Sequence, residues 1–230
     1  MNGSRGLFVV GTDTDVGKTA VAVAIVAELA ARGARVGVYK PVASGTQGPG
    51  SDAARLWRAA GQPLALDAVC PQSFAAALAP ADAARAEGRE VDEELLRRGI
   101  EPWRAATELV VVEGAGGLFS PLGPRTLVGD LARDFRLPLV IVDAARLGLV
   151  GRTLMACCAA RAEGLSVAAV VISQVAPPHG APHEPASAAA ILRSGLATLR
   201  SRLPEVPIGV LGHGVARIEP ALEWRTLAGG

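Results

Sequence analysis

Residues 7–19 read LFVVGTDTDVGKT, and no other stretch narrows the possible folds as far. The four apolar residues, bounded by glycines, have the length and character of a buried strand. Behind the glycine loop, residues 19–32 (TAVAVAIVAELAAR) form an Ala-rich run long enough for a helix, and Gly33 stands where a helix-ending glycine belongs. Strand, glycine loop and helix in that order make an anion site, because backbone N–H groups and the helix N-terminus converge on one point. The common phosphate-loop template has four residues between its glycines, whereas Gly11 and Gly17 have five. One extra residue adds little closure entropy, and glycine accepts unusual dihedrals. Lys18 would then reach terminal phosphates and the Thr19 hydroxyl would hold Mg²⁺. The competing interpretation is a chance glycine turn.

The rest of the chain repeats the strand-then-helix rhythm. Residues 35–42 (RVGVYKPV) read as a strand running into a loop at Lys40-Pro41, and 45–51 (GTQGPGS) as a flexible loop. Asp52 is placed to cap the helix that follows. Residues 70–80 look irregular, and 81–107 look helical with breaks near Gly88 and Pro102. Strands are expected at 109–117, 138–144, 165–173 and 206–212, and helices at 127–136, 149–163 and 186–202. The stretch APPHGAPHEP is expected to be a loop. Strands without polar alternation, each followed by a helix, indicate a parallel sheet covered on both faces. The expected fold is therefore α/β, a mostly parallel central sheet with helices on both faces, of the P-loop NTPase type, as one domain over residues 1–230.

In such sheets the chemistry gathers beyond the carboxyl ends of the strands. Lys40 ends the second strand. It and Lys18 are the two lysines of the chain; every other basic residue is arginine. Lysine is a compact ammonium, and two retained at strand ends point to tasks that arginine's planar fork cannot perform, against the alternative of a solvated surface lysine. Glu113 ends the third strand, where an uncompensated carboxylate would be costly and a metal ion would compensate it. Asp52 is either a second metal carboxylate or a plain helix cap. Thr19, Asp52 and Glu113 match the one or two carboxylates that Mg²⁺ takes beside phosphate oxygens and water. Asp143, after the fourth strand, reads better as a hydrogen-bonded strand end than as a catalytic group. His179, His183 and His213 lie in Pro/Gly-rich stretches and make no convincing metal site.

Composition removes other classes. Half of the 230 residues are hydrophobic, a fifth are charged and the net charge is +1. That provides a sizeable core and no electrostatic case for a nucleic-acid or membrane partner. The three cysteines (Cys70, Cys157 and Cys158) form neither a disulfide framework nor a zinc pattern. The apolar run near the N-terminus is too short for a signal peptide and no run approaches a membrane span. A cytoplasmic protein with reduced thiols is the expectation.

Taken together, GTDTDVGKT, KPVASG (40–45) and VEGAGGLFSPL (112–122), with Asp52 between the second and third, resemble the dethiobiotin synthetase family in order and spacing. The resemblance is strong over residues 7–145 and makes the longer phosphate loop a family trait. It implies a homodimeric ligase acting on 7,8-diaminononanoate, CO₂ and ATP with Mg²⁺. A substrate amine forms a carbamate, its oxygen attacks the γ-phosphate, and the second amine displaces phosphate from the mixed anhydride to close a cyclic urea. It further implies Lys40, Lys18 and Thr14 as catalytic residues. Asp15, Val16, Gly17, Lys18, Thr19, Ala20, Asp52, Glu113 and Ser173 would contact nucleotide. Thr14, Asp15, Lys40, Ser44, Gly116 and Gly117 would contact the diamine or carbamate.

The chain also departs from the family. Ser173 or Gln174 stands where the family often has an adenine-reading asparagine, Gly212 where it has a proline, and Gly151-Arg152 where it usually has Asn-His. Arg152 or Arg146 could take the substrate carboxylate bidentately. Rival interpretations are a positioning-type switch ATPase, which typically carries a lysine where this chain has Thr12, an amidating ligase domain, which normally needs a glutaminase domain on its chain, and a nucleotide-sensing relative without catalysis.

Overall fold

The computed structural model describes residues 5–45, 48, 50–175 and 188–229. The chain enters as β1 (Gly6–Gly11), crosses the glycine loop into α1 (Lys18–Ala31) and returns as β2 (Val36–Tyr39). An excursion follows through β3 (Ala43–Ser44), α2 (Asp52–Ala59), α3 (Leu66–Val69) and β4 (Ser73–Phe74). Three short helices close it: α4 (Pro80–Ala86), α5 (Glu93–Arg98) and α6 (Glu101–Ala106). The strand–helix rhythm resumes with β5 (Leu109–Gly117), α7 (Val128–Phe135), β6 (Leu139–Ala144), α8 (Leu149–Ala162), β7 (Val167–Ser173) and α9 (Ala188–Arg202). It ends with β8 (Ile208–Leu211), β9 (Ile218–Glu219) and α10 (Trp224–Leu227).

The main sheet has the order β2-β5-β1-β6-β7-β8-β9. Every pairing is parallel except β8 with β9. Successive strand residues point to opposite faces. Uninterrupted burial along β1, β2 and β6 therefore means that both faces are covered. β1 lies between β5 and β6, and the chain leaves it toward β2 on one side before crossing to β6 on the other. The crevice at the carboxyl end of β1 is thus the topological switch point where such sheets bind ligands. At the opposite end of β1, Gly6 N–H donates to Ala228 O at 3.0 Å, which ties α10 to the start of the first strand.

The excursion packs through polar tips of large side chains. Trp103 and Tyr39 are fully buried. Trp103 Nε1 donates to Ala68 O at 2.9 Å, and Tyr39 Oη donates to Leu95 O and Leu96 O, both at 3.0 Å. Buried aromatic residues with polar tips need such partners.

Several expectations change in detail. Residues 70–80 are not wholly irregular, since Ser73–Phe74 pairs with Ala43–Ser44 as a small second sheet. Pro102 does not break a helix. It sits in the first turn of α6, where a missing N–H costs nothing, and the break falls at Gly99–Ile100. β5 keeps the expected 109–117 span and runs through Glu113 to Gly117, with a register shift against β1 between Val9 and Gly11. β9 and α10 were not anticipated at all. The expected APPHGAPHEP loop, with His179 and His183, lies outside the described residues. No helix among them is long and apolar enough to cross a membrane.

Candidate active site

At the end of β1 the loop folds back on itself. Thr14 N–H donates to Asp13 Oδ1 at 2.7 Å, Asp15 takes a left-handed φ of 53°, and Val16 is buried beneath the loop. Gly17 has φ 93°, and a Cβ there would collide with the Ser173 hydroxyl at the end of β7. Glycine is thus required twice over, for backbone conformation and for clearance. No side chain caps α1, whose first turn carries no acidic residue. Its N–H groups are left for an anion, and the helix dipole favours one there. Ser173 is buried behind Gly17 and braces the loop from the sheet side.

The loop borders a cavity of about 380 Å³. Thr14, Asp15, Gly17, Lys18, Thr19 and Ala20 line it from the loop and α1. Lys40, Ser44, Asp52, Glu113 and Gly116 line it from the neighbouring strand ends and α2. The sequence-derived candidates therefore converge, apart from Val16 and Ser173, which underlie the loop, and Gly117, which faces the next groove with Thr14. Arg55, Ala115 and Val175 also line the cavity and escaped the sequence reading. Arg55 was legible in principle, one helical turn beyond Asp52. A second, larger cavity of about 840 Å³ adjoins it and shares Asp15, Ser44 and Asp52.

The expectation that Asp52 caps α2 is corrected. Ser51 is the cap, its Oγ accepting from Ala54 N–H at 3.3 Å. Asp52 is thereby free to face the site. Lys40 Nζ lies 2.6 Å from Glu113 Oε1 and 3.0 Å from Asp52 Oδ2, and Thr19 Oγ1 donates to the same Oε1 at 2.8 Å. Burial alone would lower the Lys40 pKa, but Glu113 and Asp52 outweigh it and hold the ammonium above the ordinary lysine range. Burial likewise pushes Asp52 up, yet Lys40 outweighs it and the carboxyl stays below its usual value. Lys18 differs. Burial lowers it, Lys40 adds to the lowering, and Glu113 opposes both. Its Nζ donates to Asp13 O at 2.9 Å, so the side chain curls over its own loop.

Glu113 Oε2 is buried and has no hydrogen-bond partner among the described residues. An orphaned carboxylate oxygen is expensive unless something meets it. With Thr19 Oγ1 and Asp52 beside it, the donor set is hard oxygen, two carboxylates and a hydroxyl, which fits Mg²⁺ completed by phosphate and water. Among the described residues no group of three His, Cys, Asp or Glu is placed to hold a metal ion, so a site relying on protein carboxylates and imidazoles alone is not built here.

Asp143 is fully buried and accepts from Thr12 Oγ1 at 2.7 Å, Ala144 N–H at 2.8 Å, Arg152 Nε at 3.1 Å and Thr153 Oγ1 at 3.2 Å. It anchors the loop to α8, as its position at a strand end implied. Arg152 also donates to Leu147 O and Ala144 O.

Fold and site together define a P-loop nucleoside-triphosphate-binding protein. The AAA domain family model matches residues 5–209. The chloroplast FtsY of Physcomitrella patens superposes with TM-score 0.56 at 13% identity, covering 99% of this chain and 65% of that one. Such identity shows the fold alone. Sequence relatives narrow it. The ATP-dependent dethiobiotin synthetase BioD of Anaeromyxobacter dehalogenans (strain 2CP-C) is 47% identical over 82% of this chain and 85% of its own length. That of Aromatoleum aromaticum is 35% identical over 96% of each. The chain belongs to the ATP-dependent dethiobiotin synthetase family.

Proposed function

We propose that this chain is a cytoplasmic, homodimeric dethiobiotin synthetase, forming dethiobiotin from 7,8-diaminononanoate, CO₂ and ATP. The observation that carries the reading is the meeting of both lysines, Asp52, Glu113 and Thr19 around one cavity at the switch point. Phosphoryl transfer needs positioning and charge neutralisation more than covalent help. The α1 N-terminus and Lys18 would hold the ATP phosphates. Thr19, Asp52 and Glu113 would hold Mg²⁺, which would neutralise phosphate charge when bound. Asp15 would meet the ammonium of the diamine, while Ser44 and the backbone of Gly116 and Gly117 would place the carbamate. Lys40 would stabilise the carbamate oxygen as it attacks the γ-phosphorus, whose bond to the bridging oxygen breaks to release ADP. The second amine then attacks the carbamoyl carbon, and phosphate leaves as the ring closes.

Beside the site, a groove of about 570 Å³ runs along Thr14, Gly117, Leu118, Phe119 and Met155. Of its lining, Phe119 and Met155 are 55% and 67% exposed. Exposed apolar side chains clustered at a site favour a partner surface, and a second copy is the partner the family suggests. Arg152 lines the groove but is committed to Asp143 and two carbonyls. The half-exposed Arg146, whose contact is Asp13 at 3.4 Å, is better placed to take a substrate carboxylate. Three free thiols suit the reducing cytoplasm.

The test is ADP release with MgATP, bicarbonate and the diamine, each omitted in turn, with the product weighed for the cyclic urea. ADP release that requires the diamine and gives dethiobiotin supports the reading. Hydrolysis indifferent to the diamine, or dependent on a protein partner or lipid, would sink it in favour of a switch ATPase.

A further inference from the structure

Lys40 holds the two carboxylates assigned above to the metal. Its Nζ is 2.6 Å from Glu113 Oε1 and 3.0 Å from Asp52 Oδ2, and the residue is 4% exposed. Thr19 Oγ1 donates to the same Glu113 oxygen, and Oε2 of that carboxylate is buried without a partner among the described residues. A divalent cation on these oxygens would stand within a few ångströms of the ammonium. Two positive centres that close in a buried site repel strongly, because little water lies between them to screen the charge. One set of carboxylates cannot serve both at full strength.

We propose that Lys40 and the divalent cation exchange on Glu113 and Asp52. Without metal, the two carboxylates store the ammonium; metal loading turns it out toward the wall formed by Asp15, Ser44 and Gly116. The inference rests on the reading of Thr19, Asp52 and Glu113 as metal donors. The cavity permits the movement, since Lys40, Asp15, Ser44 and Gly116 line the same space. A four-carbon stem with a point charge at its tip has the freedom to swing, where a planar guanidinium would not. Lys18 is not the exchanging group, because its Nζ is held by the backbone oxygen of Asp13. The exchange sets an order. Lys40 reaches the phosphoryl acceptor only once the metal has taken the carboxylates, so nucleotide arriving without metal meets a site with its second lysine withheld.

The probe is Mn²⁺ alone, without nucleotide or diamine, with free ion read by electron paramagnetic resonance. Lys40→Met should bind it at least tenfold more tightly than the unaltered protein. Lys18→Met, which removes a nearby charge but touches neither carboxylate, should change affinity less than threefold. Equal or weaker binding by Lys40→Met overturns the proposal, as does equal tightening by Lys18→Met. The metal reading is checked separately with Asp52→Asn and Glu113→Gln. If these leave Mn²⁺ affinity intact, the donor assignment falls and the exchange with it. If they abolish binding while Lys40→Met matches the unaltered protein, the donors stand and the exchange alone falls. Should Lys40→Met not fold, the unaltered chain gives a second readout. Its two lysines make the ammonium ¹⁵N signals assignable. The Lys40 signal should shift when Mg²⁺ joins a non-hydrolysable ATP analogue, and a signal unmoved by Mg²⁺ overturns the proposal.

Discussion

Single residues carry the chemistry, and their substitutions should separate binding from turnover. Lys40→Gln removes the charge proposed to face the carbamate, so turnover should fall about 100-fold or more while ATP affinity changes far less. It also leaves Glu113 buried without its cation, a change that typically costs about 3–5 kcal/mol. A denaturation midpoint measured beside the kinetics will show that loss. Gly17→Ala should be worse for nucleotide than for folding. The left-handed φ of 93° and the Ser173 hydroxyl leave no room for a methyl. Equilibrium binding of a fluorescent ATP analogue should drop at least tenfold, since the anion-binding N–H groups move with the loop.

Between elements, one tight fit lies where β5 meets β1 and α7. A Cβ on Gly114 would sit 2.9 Å from Val128 Cγ1 and 3.0 Å from Phe8 Cε1. Gly114→Ala should therefore destabilise the fold by about 1–3 kcal/mol through overpacking, and Val128→Ala in the same chain should restore part of it. Urea unfolding of the single and double variants checks both. Elements of this kind were legible where apolar runs were long: β1, β6 and β7, and the helices α1 and α8, are close to where periodicity puts them. Ser51 as the cap of α2 was not, because Ser and Asp are equal candidates until the backbone shows which one leaves the helix. The β3–β4 pair and β9 are two residues each, too short to leave any periodic trace. Lys40, Asp52 and Glu113 could be picked out singly, but their direct contact depends on how three distant segments pack, and no spacing encodes that.

For the whole molecule, solvent access sorts the thiols. Cys158 is exposed, Cys157 buried and Cys70 between them. Burial pushes both Cys70 and Cys157 up to about 11 from an ordinary 9.0. A thiol-reactive dye at pH 8 should label one cysteine rapidly and two slowly. Stability should respond to alkali with a definite sign. The unfolded chain loses these protons near pH 9 and the folded one near 11, so the folded state binds more protons in that window. Stability is intact below about pH 9 and declines as pH rises through about 11, and Cys157→Ala should flatten part of the decline.

Gly6 and Ala228 are hydrogen-bonded to each other at the foot of β1, while the candidate site's cavity opens at its head. A six-residue strand separates the two by roughly 20 Å. The protein therefore has a handle at one pole and its working mouth at the other. A tether attached at the foot of β1 should leave the mouth facing free solution.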